Sequence, residues 1–163
     1  MTGVIDCLHS FIKEGRKIAF LGVGSPLRAD DSVGLFIVSE FQERLKSSPD
    51  KEFLFYLGES APENFSGEIR NEAPSHLVIF DAAEMDKEPG SFSIIEKDQI
   101  GGTSFSTHML PLKILVEYII QTAGCRVMVI GVQPKSLDFA VPLSAEVMEA
   151  ANQFVTNICK SIK

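Results

Sequence analysis

The chain has 163 residues, long enough for one domain with a proper core and too short for two. Its 15 Lys and Arg against 22 Asp and Glu leave a formal charge of -7, which favours solubility and repels phosphate backbones, so nucleic acid is excluded as an expected partner. No stretch reaches the roughly 18 apolar residues that a bilayer span needs, and Asp6, His9, Lys13 and Glu14 interrupt the N-terminal apolar positions against a secretory leader, so a cytoplasmic protein with no membrane partner is expected.

Val4, Ile5, Leu8, Phe11 and Ile12 fall on one face of a helix over residues 4–16. Residues 18–23 then read as a buried strand. It runs into GVGSPLRADDSVG, residues 22–34, a glycine loop that carries the acid pair Asp30 and Asp31. Val33, Phe36, Ile37, Phe41 and Leu45 follow at helical spacing, and the turn residues 47–50 end that helix. Residues 53–57 form a second strand. Ser60 and Glu63 have capping-box spacing, with Pro62 at a first-turn position, which predicts a short helix through Phe65 and Ile69.

Leu77 to Phe80 form the third strand, and Asp81 follows it directly. After the Pro89-Gly90 turn, the alternation over residues 91–95 predicts a half-exposed antiparallel edge strand. A small polar loop over residues 100–107 delivers His108. Pro111 to Ile119 begin a helix closed by Gly124. Residues 126–132 are the most apolar run and read as a central strand. Phe139 and Val141 are apolar members of a loop over 135–143. Ser144 is placed to cap a last helix with Val147, Ala151, Phe154, Val155, Ile158 and Ile162 on its inner face. The expected fold class is therefore α/β. It has three layers: a mostly parallel, twisted sheet of about five strands with helices on both faces and one antiparallel edge strand, all in one domain over 1–163.

In an open α/β sheet, ligands bind beyond the carboxyl ends of the strands. Asp30 or Asp31, Asp81 and His108 all fall there. Two carboxylates and an imidazole suit a divalent transition metal and leave positions open for water or substrate. Each also has a structural reading. Either acid of the pair can cap the helix that follows, Asp81 can accept loop amides, and His108 can be a helix-turn residue. His9 and His76 read as structural or solvated. Cys7, Cys125 and Cys159 read as small buried hydrophobes in a reducing compartment, since their number is odd and no C-x-x-C occurs. Gly22-x-Gly24 lacks the third glycine of a dinucleotide fingerprint, Leu27 standing there, and lacks the Gly-Lys-Ser/Thr of a phosphate loop. Those glycines are expected to let backbone pass close to a neighbour.

GVGSPLRADDSVG, VIFDAAEMD with Asp81 and STHMLPL with His108 together resemble the hydrogenase maturation endopeptidases. SAPEN (60–64) and GVQP (131–134) resemble the branch that includes the hydrogenase 3 maturation protease. The resemblance runs from Ile18 to about Ala150. It implies an endopeptidase, often grouped as aspartic-type, that removes the C-terminal extension of the large-subunit precursor of a nickel-iron hydrogenase. It implies that Asp31, Asp81 and His108 bind nickel supplied by the precursor, with Asp31 the best candidate for the catalytic base, in a protein expected to be a monomer. Ala29 and Ser32 stand where many relatives have glycine. Two other readings compete. One is a receiver-like phosphoacceptor domain, with Lys135 as its lysine. The other is a non-catalytic module that binds a metal-loaded partner.

Overall fold

The computed structural model describes residues 1–100 and 109–162. Its elements run in the order α1 (Thr2–Glu14), β1 (Lys17–Val23), a 3-10 turn (Ala29–Ser32), α2 (Val33–Leu45), β2 (Glu52–Glu59), a second 3-10 turn (Pro62–Phe65), α3 (Ser66–Glu72), β3 (His76–Ala82), β4 (Phe92–Ile95), α4 (Met109–Ala123), β5 (Arg126–Val132) and α5 (Ala145–Ile162). The five strands form one sheet in the order β2-β1-β3-β5-β4. Only β4 runs antiparallel, against β5. The expected α/β architecture with one antiparallel edge is therefore the observed one. The last apolar run, β5, is interior but lies next to that edge. The middle of the sheet belongs to β3, buried along its whole length, because it pairs with β1 from His76 to Phe80 and with β5 from His76 to Ala82, with a helix layer on each face.

The two faces of the sheet carry separate cores. Phe20, Phe41, Phe80 and Phe154 anchor the face covered by α1, α2 and α5. Phe20 stacks on Phe41 at 4.8 Å and Phe92 on Phe154 at 4.2 Å. Each such buried ring contributes about 1.5–3 kcal/mol over leaving it in water. Leu21, Ile79, Leu115 and Ile119 fill the other face, beneath α3 and α4. At the amino ends of the strands, His76 is buried edge-on against Phe11 at 4.6 Å. Burial and the Arg126 guanidinium hold its imidazole below the ordinary value, so it serves structure, as the sequence reading has it. Cys125 and Cys159 are buried, but Cys7 is exposed. It stands one turn from Phe11 along α1, at the solvent edge of the buried stripe of Leu8, Phe11 and Ile12.

Local cap expectations meet other arrangements. Ser60 and Glu63 do not form a capping box. A 3-10 turn opens at Pro62 with no side-chain cap, and α3 starts only at Ser66. Ser144 directly precedes α5, and its hydroxyl donates to Asp30. The N-cap position of α2 is Ser32 rather than Asp30 or Asp31, and it makes no side-chain cap bond.

Glycines set how tightly the layers meet. A Cβ on Gly34, in the first turn of α2, would stand 2.3 Å from the Phe80 carbonyl oxygen and 2.6 Å from that of Val23. One on Gly22 would stand 2.6 Å from the Gly34 carbonyl oxygen. Gly34→Ala is therefore expected to destabilise the fold by about 3 kcal/mol. Gly67→Ala in α3, where a Cβ meets nothing within 4 Å, is expected to stabilise by roughly 0.5 kcal/mol. Urea denaturation of the two variants measures the contrast.

Candidate functional site

The chain order explains where a site can form. From β1 the chain crosses by α2 to β2 on one side. It then returns by α3 to β3 on the other side of β1. The carboxyl ends of β1 and β3 thus border the point where strand order reverses, the usual ligand crevice of such sheets. Both the acid pair and Asp81 stand at this point.

Asp30 and Asp31 lie side by side in the 3-10 turn and are both buried, yet their environments differ. The Asp30 carboxylate is enclosed by donors. Its Oδ2 accepts the amides of Lys135 (2.7 Å) and Ser136 (3.1 Å), and its Oδ1 accepts the amide (2.7 Å) and hydroxyl (2.6 Å) of Ser144. Burial pushes this carboxyl up, but the Ser144 hydroxyl and these amides outweigh it and hold it below the ordinary value. Asp30 is thus a clamp for the loop between β5 and α5. The loop is also fastened by backbone bonds from the Asp30 amide to Ser136 O (3.0 Å), Ala29 to Val141 O (3.0 Å) and Ala140 to Leu27 O (2.8 Å).

The Asp31 carboxylate turns inward, where its Oδ2 accepts the Ser25 amide at 2.8 Å. Gly24 makes that possible. Its φ is +131°, and a Cβ there would fall 1.7 Å from the Asp31 carbonyl oxygen. The expected close backbone passage at Gly22 and Gly24 is thus against the acidic turn and the start of α2. Of the two departures from glycine, Ser32 sits in ordinary helical space at φ -79°, while Ala29 takes a left-handed φ of 37°, held there by its bond to Val141.

Asp81 is the penultimate residue of β3 rather than the residue after it, because the ladder to β5 continues through Asp81↔Gly131 and Ala82↔Val132. Its carboxyl is buried, and neither oxygen has a hydrogen-bond partner among the described residues. Burial first, and the Asp31 charge second, push it well above the ordinary carboxylate value, against a small opposing effect of the Ala82 amide. A buried acid short of donors and beside a second acid is suited to bind a cation, or to keep and pass on a proton. The third expected ligand, His108, lies outside the described residues. Among the described residues no group of three or more His, Cys, Asp and Glu side chains forms a metal site. Lys135 donates its ammonium to Glu146, away from a receiver lysine's role, and the strand order differs from the 2-1-3-4-5 of receiver domains.

Two residues at this end were not marked for a role by sequence reasoning. Leu27 is 60% exposed and joins Phe139 (70%) and Val141 (44%) on the two loops that bond to each other. Gln133 is buried, and only its place within the GVQP motif hinted at a role.

Asp30 and Asp81 should respond oppositely to neutralisation. Asp30 contributes stability that is fully present above its unfolded value of 3.8 and lost as pH falls through its lower folded value. Asp30→Asn is expected to cost about 2–3 kcal/mol at pH 7, the deficit shrinking in acid. Asp81 carries a cost at neutral pH that fades as pH falls from its raised folded value towards 3.8. Asp81→Asn in chelator-treated protein is therefore expected to melt at or above the wild-type temperature at pH 7, with the advantage lost in acid. Thermal melts at several pH values check both.

The family model described as hydrogenase maturation protease matches residues 36–161. The hydrogenase 3 maturation protease of Escherichia coli K12 is 31% identical over 131 residues, covering 80% of this chain and 81% of its own. A Methanocaldococcus jannaschii protein is 34% identical over 164 residues, covering 97% and 95%. Among solved structures, the crystal structure of a nickel-iron hydrogenase maturation protease HycI from Thermococcus kodakarensis KOD1 superposes with a TM-score of 0.84 at 29% identity, covering 96% of this chain and 98% of that one. The solution structure of an endopeptidase HycI from Escherichia coli gives 0.73 at 28% identity, covering 90% and 92%.

Proposed function

The chain belongs to the hydrogenase maturation protease family and is a peptidase, and from that premise we propose that it removes the C-terminal extension of a nickel-iron hydrogenase large-subunit precursor. The observation that carries the reading is the Asp81 carboxyl. It is buried, lacks a hydrogen-bond partner among the described residues and stands beside Asp31 at the switch point of the sheet. Such an acid costs stability, and a cation brought by a substrate would relieve that cost.

In this reading Asp31, Asp81 and His108 receive the nickel of the loaded precursor. Two carboxylates and an imidazole fit a borderline divalent ion and leave coordination positions for the substrate. The nickel, when bound, supplies charge that polarises a carbonyl or lowers the pKa of water. The chain's own part is orientation and proton transfer. Asp31, aimed by the Ser25 amide, takes the proton of the attacking water as its oxygen adds to the scissile carbonyl carbon. The proton then passes to the amide nitrogen as the C–N bond breaks. Asp30, whose acceptor sites are taken up by the Lys135–Ser144 segment, holds the turn and stays out of the reaction.

The exposed Leu27, Phe139 and Val141 ridge is continuous with the turn that carries Asp31 and is the surface proposed to grip the precursor. The reading has the protein acting as one domain over 1–163, as a monomer in the cytoplasm. Its three cysteines are free, and among the described residues no helix is long and apolar enough to cross a membrane.

Intact-mass measurement of a nickel-loaded precursor incubated with the protein is expected to show loss of a C-terminal peptide. Folded Asp31→Asn, Asp81→Asn and His108→Ala are each expected to abolish it. Wild-type rates in all three would sink the site, and an unchanged precursor mass with the wild-type chain would sink the activity. Phe139→Ala is expected to raise the apparent KM about tenfold at unchanged kcat, as read from processing rates against precursor concentration.

A further inference from the structure

The proposed ligand Asp81 has no side-chain hydrogen bond among the described residues, so its position depends on its backbone. Up to Ala82 that backbone is held by the β5 ladder, and the Ala83 amide adds one more bond, to Val132 O (2.9 Å). Beyond this the chain leaves the sheet, and the next anchor is a buried side chain, Gln133.

The Gln133 amide has two acceptor and two donor positions, and all four are filled. Its Oε1 accepts the amides of Met85 (2.7 Å) and Lys87 (3.2 Å). Its Nε2 donates to Glu84 Oε1 (2.6 Å) and to Pro134 O (3.2 Å). Between the two bonded amides, Asp86 takes a left-handed φ of 56°, so the loop closes tightly around one acceptor oxygen. The Gln133 backbone also bonds to Ser91 O and to the Gly90 amide (2.9 Å each). The loop over residues 83–91 is therefore fastened at both ends by a single residue. Two and three residues further on, the amides of Lys135 and Ser136 hold Asp30, the neighbour of Asp31. Residues 133–136 thus strap together the backbone carriers of both acids while supplying no ligand of their own.

We infer that Gln133 is a positioning residue for peptide cleavage, holding the exit of β3 so that the Asp81 carboxyl stays in register with Asp31. The inference rests on the proposed role of Asp31 and Asp81. An apolar side chain of similar size would leave the Met85 and Lys87 amides without their acceptor, and the exit of β3 would shift with them.

The test uses the full chain and the nickel-loaded precursor. Gln133→Leu is expected to lower kcat about 10–100-fold, with KM within about twofold, and to abolish hydrogen-exchange protection of the Met85 and Lys87 amides. The exchanged pair Glu84→Gln with Gln133→Glu keeps the acceptor for both amides, keeps one bond between the two side chains and conserves net charge. It is expected to recover kcat to within about tenfold of wild type. A purely stabilising role would lower the melting temperature of Gln133→Leu without moving kcat at a temperature where the variant is folded. Wild-type kcat in folded Gln133→Leu, or failure of the folded exchange variant to recover, overturns the inference. Should Gln133→Leu not fold, the kcat of the exchange variant decides on the same threshold. Asp81→Asn, run beside them, separates the two claims: undiminished processing by it overturns the reading on which the inference rests, whereas its inactivity beside a fully active Gln133→Leu overturns the role of Gln133 alone.

Discussion

The first turn of α2 approaches the carboxyl ends of β1 and β3 more closely than any side chain at Gly34 allows, with the Phe80 and Val23 carbonyl oxygens at 2.3 and 2.6 Å from where a Cβ would stand. Gly22 and Gly24 extend the same approach along β1 and into the loop. This contact fixes the 3-10 turn that precedes α2, and so fixes Asp31, against the strand that bears Asp81. A Cβ at any of the three would push the helix off the sheet. The acids would then separate whatever their identity.

Around that contact, three buried carboxylates are treated in three ways. Asp30 is surrounded by donors and holds its loop. Asp31 is oriented by one amide of the glycine loop. Asp81 is desolvated and faces a like charge, a state that costs folding free energy and is tolerated because β3 is buried along its length and paired on both sides from His76 to Phe80. Stability from the phenylalanine core on one face and the aliphatic core on the other offsets a site that is locally unfavourable. In the proposed function, a partner that brings positive charge into the crevice would relieve Asp81, as protonation does, and a metal-loaded precursor would be told from an empty one on that physical basis.

Much of this was legible from the residues. The period-2 and period-3.6 runs located the five strands and the principal helices, because burial on a sheet or under a helix imposes those spacings. That Asp30 or Asp31 and Asp81 stand at the carboxyl ends of β1 and β3 followed from the alternation of strands and helices alone. The misreadings share a cause. Ser60 and Asp30 each have the local signature of a helix cap, and each lost that role to a different arrangement. Ser144 and Asp30 are 114 residues apart and satisfy each other, and a bond at that separation leaves no trace in local spacing. Gln133 was hidden for the same reason, since three of its four partners, on Glu84, Met85 and Lys87, become neighbours only when the 83–91 loop folds over the end of β5.

The sequence by itself determined the class of fold, the two acids at the strand ends and, through its ordered motifs, the family to which the chain belongs. These depend on local periodicity and on residue types at short spacing. Only the tertiary structure decided which acid clamps and which is left exposed to a like charge, that glycines serve helix-to-strand contact rather than a nucleotide, and that β3 is the middle strand. Those properties come from burial and from hydrogen bonds between segments distant in the chain, and neither exists until the layers have closed around GVGSPLRADDSVG.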